Sequence, residues 1–105
     1  MKKLLTATAA AALLAGAAQA QEIKLGILIG FTGPIESLAP AMAAGAEMAM
    51  AEVNAAGGIL DGATLVPVRA DSTCGDAAAG SAAAERLVTA EGVKGMVGGD
   101  CSGVT

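Results

Sequence analysis

The sequence has 105 residues, a formal charge of −4 at pH 7 and a hydrophobic fraction of 54%, with only 1% aromatic residues. That length allows at most one small domain, and six basic residues against ten acidic ones exclude the basic surface that nucleic-acid binding requires. Since the sequence contains no His, these residues cannot form a Ser-His-Asp or Cys-His catalytic site, or a zinc site built on imidazole.

Residues 1–20 are typical of a cleaved secretory signal peptide. Lys2 and Lys3 precede an apolar run over residues 4–18, and Ala18 and Ala20 are the small residues that a signal peptidase recognises. This run is too short to span a bilayer, which needs about 20 apolar residues. We therefore expect cleavage after Ala20, a product in the bacterial periplasm, and no membrane insertion of the cleaved product.

The next segment predicts a buried strand followed by a helix. Residues 24–30 form a nearly continuous apolar run, which is the pattern of a strand covered on both faces. Residues 31–39 are predicted to form a loop, and Pro40 suits the first turn of a helix over residues 41–56. Gly57 and Gly58 would end that helix. Its apolar face is predicted to comprise Met42, Ala46, Ala49 and Val53.

A second strand, a second helix and a third strand follow. Residues 64–70 predict a strand, and Pro67 within it favours an edge position because proline has no N–H to donate. Asp76 is a suitable N-cap for a helix over residues 77–90, with Leu87 and Val88 on its buried face. Residues 92–98 predict a turn and a third strand.

The β-α-β-α-β order predicts the α/β class, as a partial, doubly wound parallel sheet with right-handed crossovers. Three parallel strands make an incomplete sheet, so we interpret residues 21–105 as the N-terminal part of a larger protein. The competing interpretation is a complete small domain stabilised by a disulfide.

Two loops are predicted to meet at a binding crevice. In doubly wound sheets, ligands bind beyond the carboxyl ends of the strands, where the strand order reverses. With a strand order of 2-1-3, that crevice lies between residues 30–38 and residues 98–105. Backbone N–H groups in these glycine-rich loops, their hydroxyls and the positive end of a following helix could hold a carboxylate or a phosphate. The hydroxyls belong to Thr32, Ser37, Ser102 and Thr105. The alternative is that the glycines only form tight turns.

Cys74 and Cys101 follow the second and third strands, so both are expected at the same edge of the sheet. In an oxidising compartment, a disulfide is the default interpretation of such a pair. The alternative is a metal site that adds Asp71 and Asp76 to the two cysteines, although strand-end and helix-cap positions already account for these carboxylates. We expect no metal and no cofactor.

Several segments together resemble the leucine/branched-chain amino-acid-binding protein family, the type I periplasmic solute receptors of ABC importers. The resemblance covers residues 21–105 and is carried by the signal peptide and by four segments. These are Ile23-Lys24-Leu25-Gly26, Phe31-Thr32-Gly33-Pro34, Asn54-Ala55-Ala56-Gly57-Gly58-Ile59 and Gly98-Gly99-Asp100-Cys101-Ser102.

The resemblance implies lobe one of a two-lobed receptor that hands a small solute, such as a branched-chain or other amino acid, to a membrane permease. Ser102 would bind the ligand carboxylate, and Cys74 and Cys101 would form the family disulfide. Leu38 occupies a position at which several members place an aromatic residue against the ligand. Asp100 is an unfavourable neighbour for a carboxylate unless its side chain points away.

Three classes of function fit the sequence to different degrees. A transport receptor agrees with the signal peptide, the acidity and the family segments. A ligand-binding input module of a periplasmic sensor would share the fold. Within the receptor class, the solute could instead be an amide, urea or an aromatic acid, which related receptors take. A secreted enzyme is disfavoured because no nucleophile–base pair is visible. The sequence therefore predicts a non-catalytic binding protein.

Overall fold

The computed structural model describes residues 21–105, and the expected signal peptide over residues 1–20 lies outside them. The elements are β1 (Glu22–Ile29), α1 (Ala39–Ala55), β2 (Thr64–Asp71), α2 (Ala77–Thr89) and β3 (Gly95–Gly98). This order confirms the predicted β-α-β-α-β arrangement. Among residues 21–105, no helix has the length and apolar character that crossing a membrane requires.

The three strands form one parallel sheet, as predicted, in the order β2-β1-β3, which is the order that the predicted crevice requires. β1 pairs with β2 from Glu22 opposite Thr64 to Ile29 opposite Asp71, whereas β3 pairs only with Leu25 to Leu28 of β1. β2 lies at an edge of this sheet, which confirms the position inferred from its proline. All three strands therefore end at the same edge.

β1 is the centre of the fold because helices cover both of its faces. On the α1 face, Ile23, Ile27 and Ile29 pack in one buried cluster with side chains of α1 and β2. On the other face, Leu28 packs with Leu87 of α2 and with Ala70 and Val93. Alternating side chains of a strand point to opposite faces, so a strand that is apolar at nearly every position suits this place.

α1 begins two residues earlier than predicted, at Ala39, and Pro40 lies in its first turn as expected. The prediction of which α1 side chains are buried was partly wrong. The buried residues of α1 are Ala39, Ala43 and Met50, and Ala46 and Val53 are partly buried against the cluster that contains Ala43 and Met50. Met42 and Ala49 are exposed. The helix is apolar at most positions, so periodicity alone did not identify the buried stripe.

α2 begins at the predicted cap. The Asp76 carboxylate accepts hydrogen bonds from the N–H groups of Ala78 and Ala79, at 2.9 and 3.1 Å. Leu87 is fully buried, as predicted, but Val88 is 53% exposed. The prediction for Val88 was wrong because adjacent helix positions lie about 100° apart, so both cannot face a flat sheet fully.

Two polar contacts link α1 to β2. The Asn54 side chain accepts from the N–H of Leu65 at 2.8 Å and donates to its carbonyl at 2.9 Å, so it acts as a short strand partner at the sheet edge. The Arg69 guanidinium bonds both carboxylate oxygens of Glu47, at 2.6 and 2.8 Å, and lies 5.5 Å from the centre of the Phe31 ring. These contacts attach α1 to β2 at the amino end of the strand, through Asn54, and closer to its carboxyl end, through Arg69.

Candidate functional site

The edge at which the three strands end is called the carboxyl rim below. It consists of residues 30–38 after β1, residues 72–76 after β2 and residues 99–105 after β3. α1 starts at this rim without a side-chain cap and without an acidic residue in its first turn. Its positive end is therefore not neutralised by the helix itself.

Asp71 joins the loop after β1 to the end of β2. Its carboxylate accepts from the Thr32 hydroxyl at 2.6 Å and from the Thr32 N–H at 3.2 Å. The same carboxylate accepts from the N–H of Thr73 at 2.8 Å, which closes a tight turn two residues on. Thr32 is therefore held against β2. Its hydroxyl already donates its proton to Asp71, so it cannot donate to a ligand at the same time.

The hydrogen bonds to Asp71 have a consequence for its ionisation. Burial of the carboxyl acts to raise its pKa, but donation from the Thr32 hydroxyl and from the N–H groups of Thr73 and Thr32 outweighs burial. The pKa of Asp71 consequently lies below its ordinary value of 3.8. A carboxyl whose pKa is lowered by folding stabilises the folded state above its ordinary pKa, and loses that contribution as the pH falls through the lowered pKa.

We expect Asp71→Asn to lower the stability of the folded protein at pH 7 by less than about 1 kcal/mol, because solvent screens this carboxylate. The difference from the wild type should be smaller at about pH 3, below the ordinary pKa of the carboxyl, and should vanish as the pH falls through the lowered pKa. Urea denaturation at pH 7 and at about pH 3 measures it. Asp61→Asn, in an exposed turn, is the matched control and should change neither value. An equal loss for Asp71→Asn at both pH values would contradict this assignment.

Asp100 joins the segment after β3 to the other two strand ends. Its carboxylate accepts from the Gly30 N–H at 3.0 Å and from the Ser72 hydroxyl at 3.2 Å. Ser72 is fully buried, and its oxygen also accepts from the N–H of Cys74 at 3.4 Å. The side chain of Asp100 is thus directed at the ends of β1 and β2.

A disulfide between Cys74 and Cys101 links the loop after β2 to the loop after β3, with their Cα atoms 5.2 Å apart. This confirms the predicted pairing. The alternative metal site is not formed, because both sulfurs are joined to each other, Asp71 binds Thr32 and Asp76 caps α2. Within residues 21–105, no cluster of three His, Cys, Asp or Glu side chains could hold a metal ion.

The structure brings the predicted site residues to one rim. Ser102 follows Cys101 directly and is exposed, and Ser37 and Leu38 are exposed at the end of the loop after β1. The hydroxyl of Thr105 donates to the carbonyl of Cys101 at 2.9 Å, so it too cannot donate to a ligand at the same time. Of the four predicted hydroxyls, those of Ser37 and Ser102 are exposed and form no hydrogen bond within residues 21–105.

Close packing requires glycine at Gly33 in the rim and at Gly98, the last residue of β3 next to the rim. A Cβ on Gly33, which has φ of +93°, would lie 2.5 Å from the carbonyl oxygen of Thr73. A Cβ on Gly98, with φ of +123°, would overlap the carbonyl oxygen of Leu28. These positions support the alternative that the glycines serve turns and close approach of loops rather than the ligand itself.

Sequence reasoning missed the central role of residues 71–74, on which all three loops converge. The Asp71 side chain and the N–H of Thr73 form a turn that an Asp two residues before Thr can suggest. The pairing of Ser72 with Asp100 had no such local signal, because the two residues are 28 positions apart.

An open parallel sheet with exposed hydroxyls at its carboxyl rim is the architecture of a small-molecule-binding domain. A family model described as periplasmic binding protein matches residues 22–105. The chain therefore belongs to the periplasmic binding protein family, which confirms the resemblance and the α/β fold class.

Relatives with assigned names agree with this membership. The chain is 44% identical over 104 residues to Leu/Ile/Val-binding protein homolog 7 of Brucella melitensis, covering 98% of this chain and 25% of that protein. It is 36% identical over 103 residues to the Leu/Ile/Val/Thr-binding protein of Salmonella typhimurium, covering 98% of this chain and 27% of that protein. The chain thus spans about a quarter of the length of these relatives.

A solved structure shows the same fold. The branched-chain amino acid transporter substrate binding protein LivJ of Streptococcus pneumoniae, in complex with isoleucine, superposes with a TM-score of 0.71 at 32% identity. The match covers 80% of this chain and 24% of LivJ. All of these relatives are named for binding rather than for a reaction, in agreement with the prediction that the chain is not an enzyme.

Proposed function

We propose that this chain forms the first part of lobe one of a periplasmic receptor that captures an amino acid with a branched aliphatic side chain for an ABC importer. Residues 1–20 would serve as its signal peptide, and a membrane permease would be its partner. The protein would bind its solute without chemical change. The carboxyl rim supports this proposal, because its loops are held together with Ser102 exposed next to the disulfide.

The charges at the rim suit an anionic ligand group. The two carboxylates at the strand ends, Asp71 and Asp100, already accept hydrogen bonds from the protein's own N–H and hydroxyl groups. Such bonds disperse their negative charge and reduce repulsion of a third carboxylate. The uncapped positive end of α1 and the exposed Ser102 hydroxyl are then the attractive elements for the ligand carboxylate.

The names of the relatives support this solute class. One is named for Leu, Ile and Val, the second for Leu, Ile, Val and Thr, and the third, LivJ, is named for branched-chain amino acids and contains isoleucine. Within residues 21–105, the exposed Leu38 adds an apolar surface beside the hydroxyls. An aliphatic amino acid fits a rim that combines hydrogen-bond donors with such a surface.

The test is a ligand panel on the full-length gene product, measured by thermal shift and then by calorimetry. We expect leucine, isoleucine or valine to raise the melting temperature and to bind, because a ligand that binds only the folded state stabilises it. Leucinamide, which lacks the carboxylate, should bind at least tenfold more weakly. Binding of urea, an amide or an aromatic acid in place of these amino acids would contradict the proposed solute, and no binding at all would contradict the receptor.

A further inference from the structure

The Asp100 carboxylate forms hydrogen bonds to groups at the ends of two neighbouring strands. One carboxylate oxygen accepts from the Gly30 N–H at the end of β1, and the other accepts from the Ser72 hydroxyl just after β2. Ser72 is fully buried, so its hydroxyl needs a partner inside the protein. Asp100 therefore connects the segment after β3 to both neighbouring strand ends.

The disulfide holds the next residue along the chain. Cys101 is bonded to Cys74, whose N–H donates to the same Ser72 oxygen. A single covalent link fixes a distance but still permits rotation about its bonds. A second attachment one residue away, through the Asp100 carboxylate, fixes the orientation of the segment that carries Ser102.

The ionised carboxylate is well suited to this task. A carboxylate accepts at both oxygens, so it can bind two donors from different strands at once. The amide of Asn can accept from the Gly30 N–H with its oxygen and donate to the Ser72 oxygen with its N–H₂ group, so it joins the same two groups with one hydrogen bond reversed. The longer side chain of Glu keeps the charge but displaces it.

We propose that Asp100 is a positioning residue of the ligand site, which sets the place of the Ser102 hydroxyl relative to the loop after β1. The proposal rests on the proposed function. It also accounts for an acidic residue close to a site for an anion: the Asp100 side chain is directed at Gly30 and Ser72.

The experiment compares Asp100→Asn, Asp100→Glu and Asp100→Ala in the full-length gene product by calorimetry with leucine. We expect Asp100→Ala and Asp100→Glu to weaken binding about tenfold, and Asp100→Asn to stay within about threefold of the wild type. The amide resonance of Gly30 should move in all three variants, because its acceptor changes. Glu85→Ala is the matched control: it removes an exposed acidic side chain of α2, outside the rim, and should leave the affinity unchanged.

The possible results distinguish failure of the positioning role of Asp100 from failure of the proposed function. Tight leucine binding by the wild type and equally tight binding by Asp100→Ala and Asp100→Glu would overturn the positioning role alone. Better rescue by Glu than by Asn would also overturn it, because charge rather than geometry would then matter. Absence of binding by the wild type to any branched-chain amino acid would overturn the proposed function, and the positioning role with it.

Discussion

Replacing Cys74 and Cys101 together with serine is expected to lower the free energy of unfolding by about 3–4 kcal/mol. The bridge closes a segment with a sequence separation of 27 residues. In the chain-entropy treatment, opening a loop of this length raises the conformational entropy of the unfolded state, and this lowers the free energy of unfolding by about 3–4 kcal/mol. A domain is typically stable by only about 5–15 kcal/mol, so the loss would be a large share of the total.

Urea denaturation with and without a reductant measures this effect. The wild-type protein should lose stability when reductant is added, whereas the double serine variant should be equally unstable in both conditions. Thiol alkylation of the unreduced, exported protein provides an independent check. Two reactive thiols in that sample, or equal stability of the wild type and the variant without reductant, would contradict the bridge.

The fold could be predicted because its main determinants are local. The apolar run of β1, Pro40 in the first turn of α1 and Asp76 at the start of α2 each act on their immediate neighbours. Right-handed crossovers alone do not fix which strand lies in the middle, so the order 2-1-3 was an assumption of the crevice prediction, and the structure has that order. The buried face of α1 was not, because a helix rich in alanine offers apolar side chains in almost every direction.

The candidate site could be predicted only as a location. Parallel strands must bring their following loops to one edge, so the proximity of Thr32 and Ser102 follows from topology. The hydrogen-bond partner of each hydroxyl does not follow from topology. Thr32 donates to a carboxylate 39 positions away, and Gly30 donates to one 70 positions away. Such partners depend on the exact spacing of loops, which no local sequence pattern specifies.

The exposed hydroxyl at position 102 leads to the second large effect: Ser102→Ala is expected to weaken leucine binding by about 10- to 100-fold. A hydrogen bond to a charged group contributes about 1.5–3 kcal/mol, and about 1.4 kcal/mol corresponds to a factor of ten in affinity. Ser102→Thr keeps the hydroxyl and should retain more affinity than the alanine variant. Ser81→Ala, on the exposed surface of α2, is the matched control and should bind leucine as the wild type does.

A comparison of two ligands shows which group of the solute the Ser102 hydroxyl contacts. If it donates to the carboxylate, Ser102→Ala should weaken leucine binding strongly and leucinamide binding much less, since the amide carries no charge. Calorimetry on both proteins with both ligands gives the coupling between the hydroxyl and the carboxylate. An equal loss for the two ligands would mean that Ser102 contacts another part of the solute, and an unchanged leucine affinity would remove Ser102 from the site.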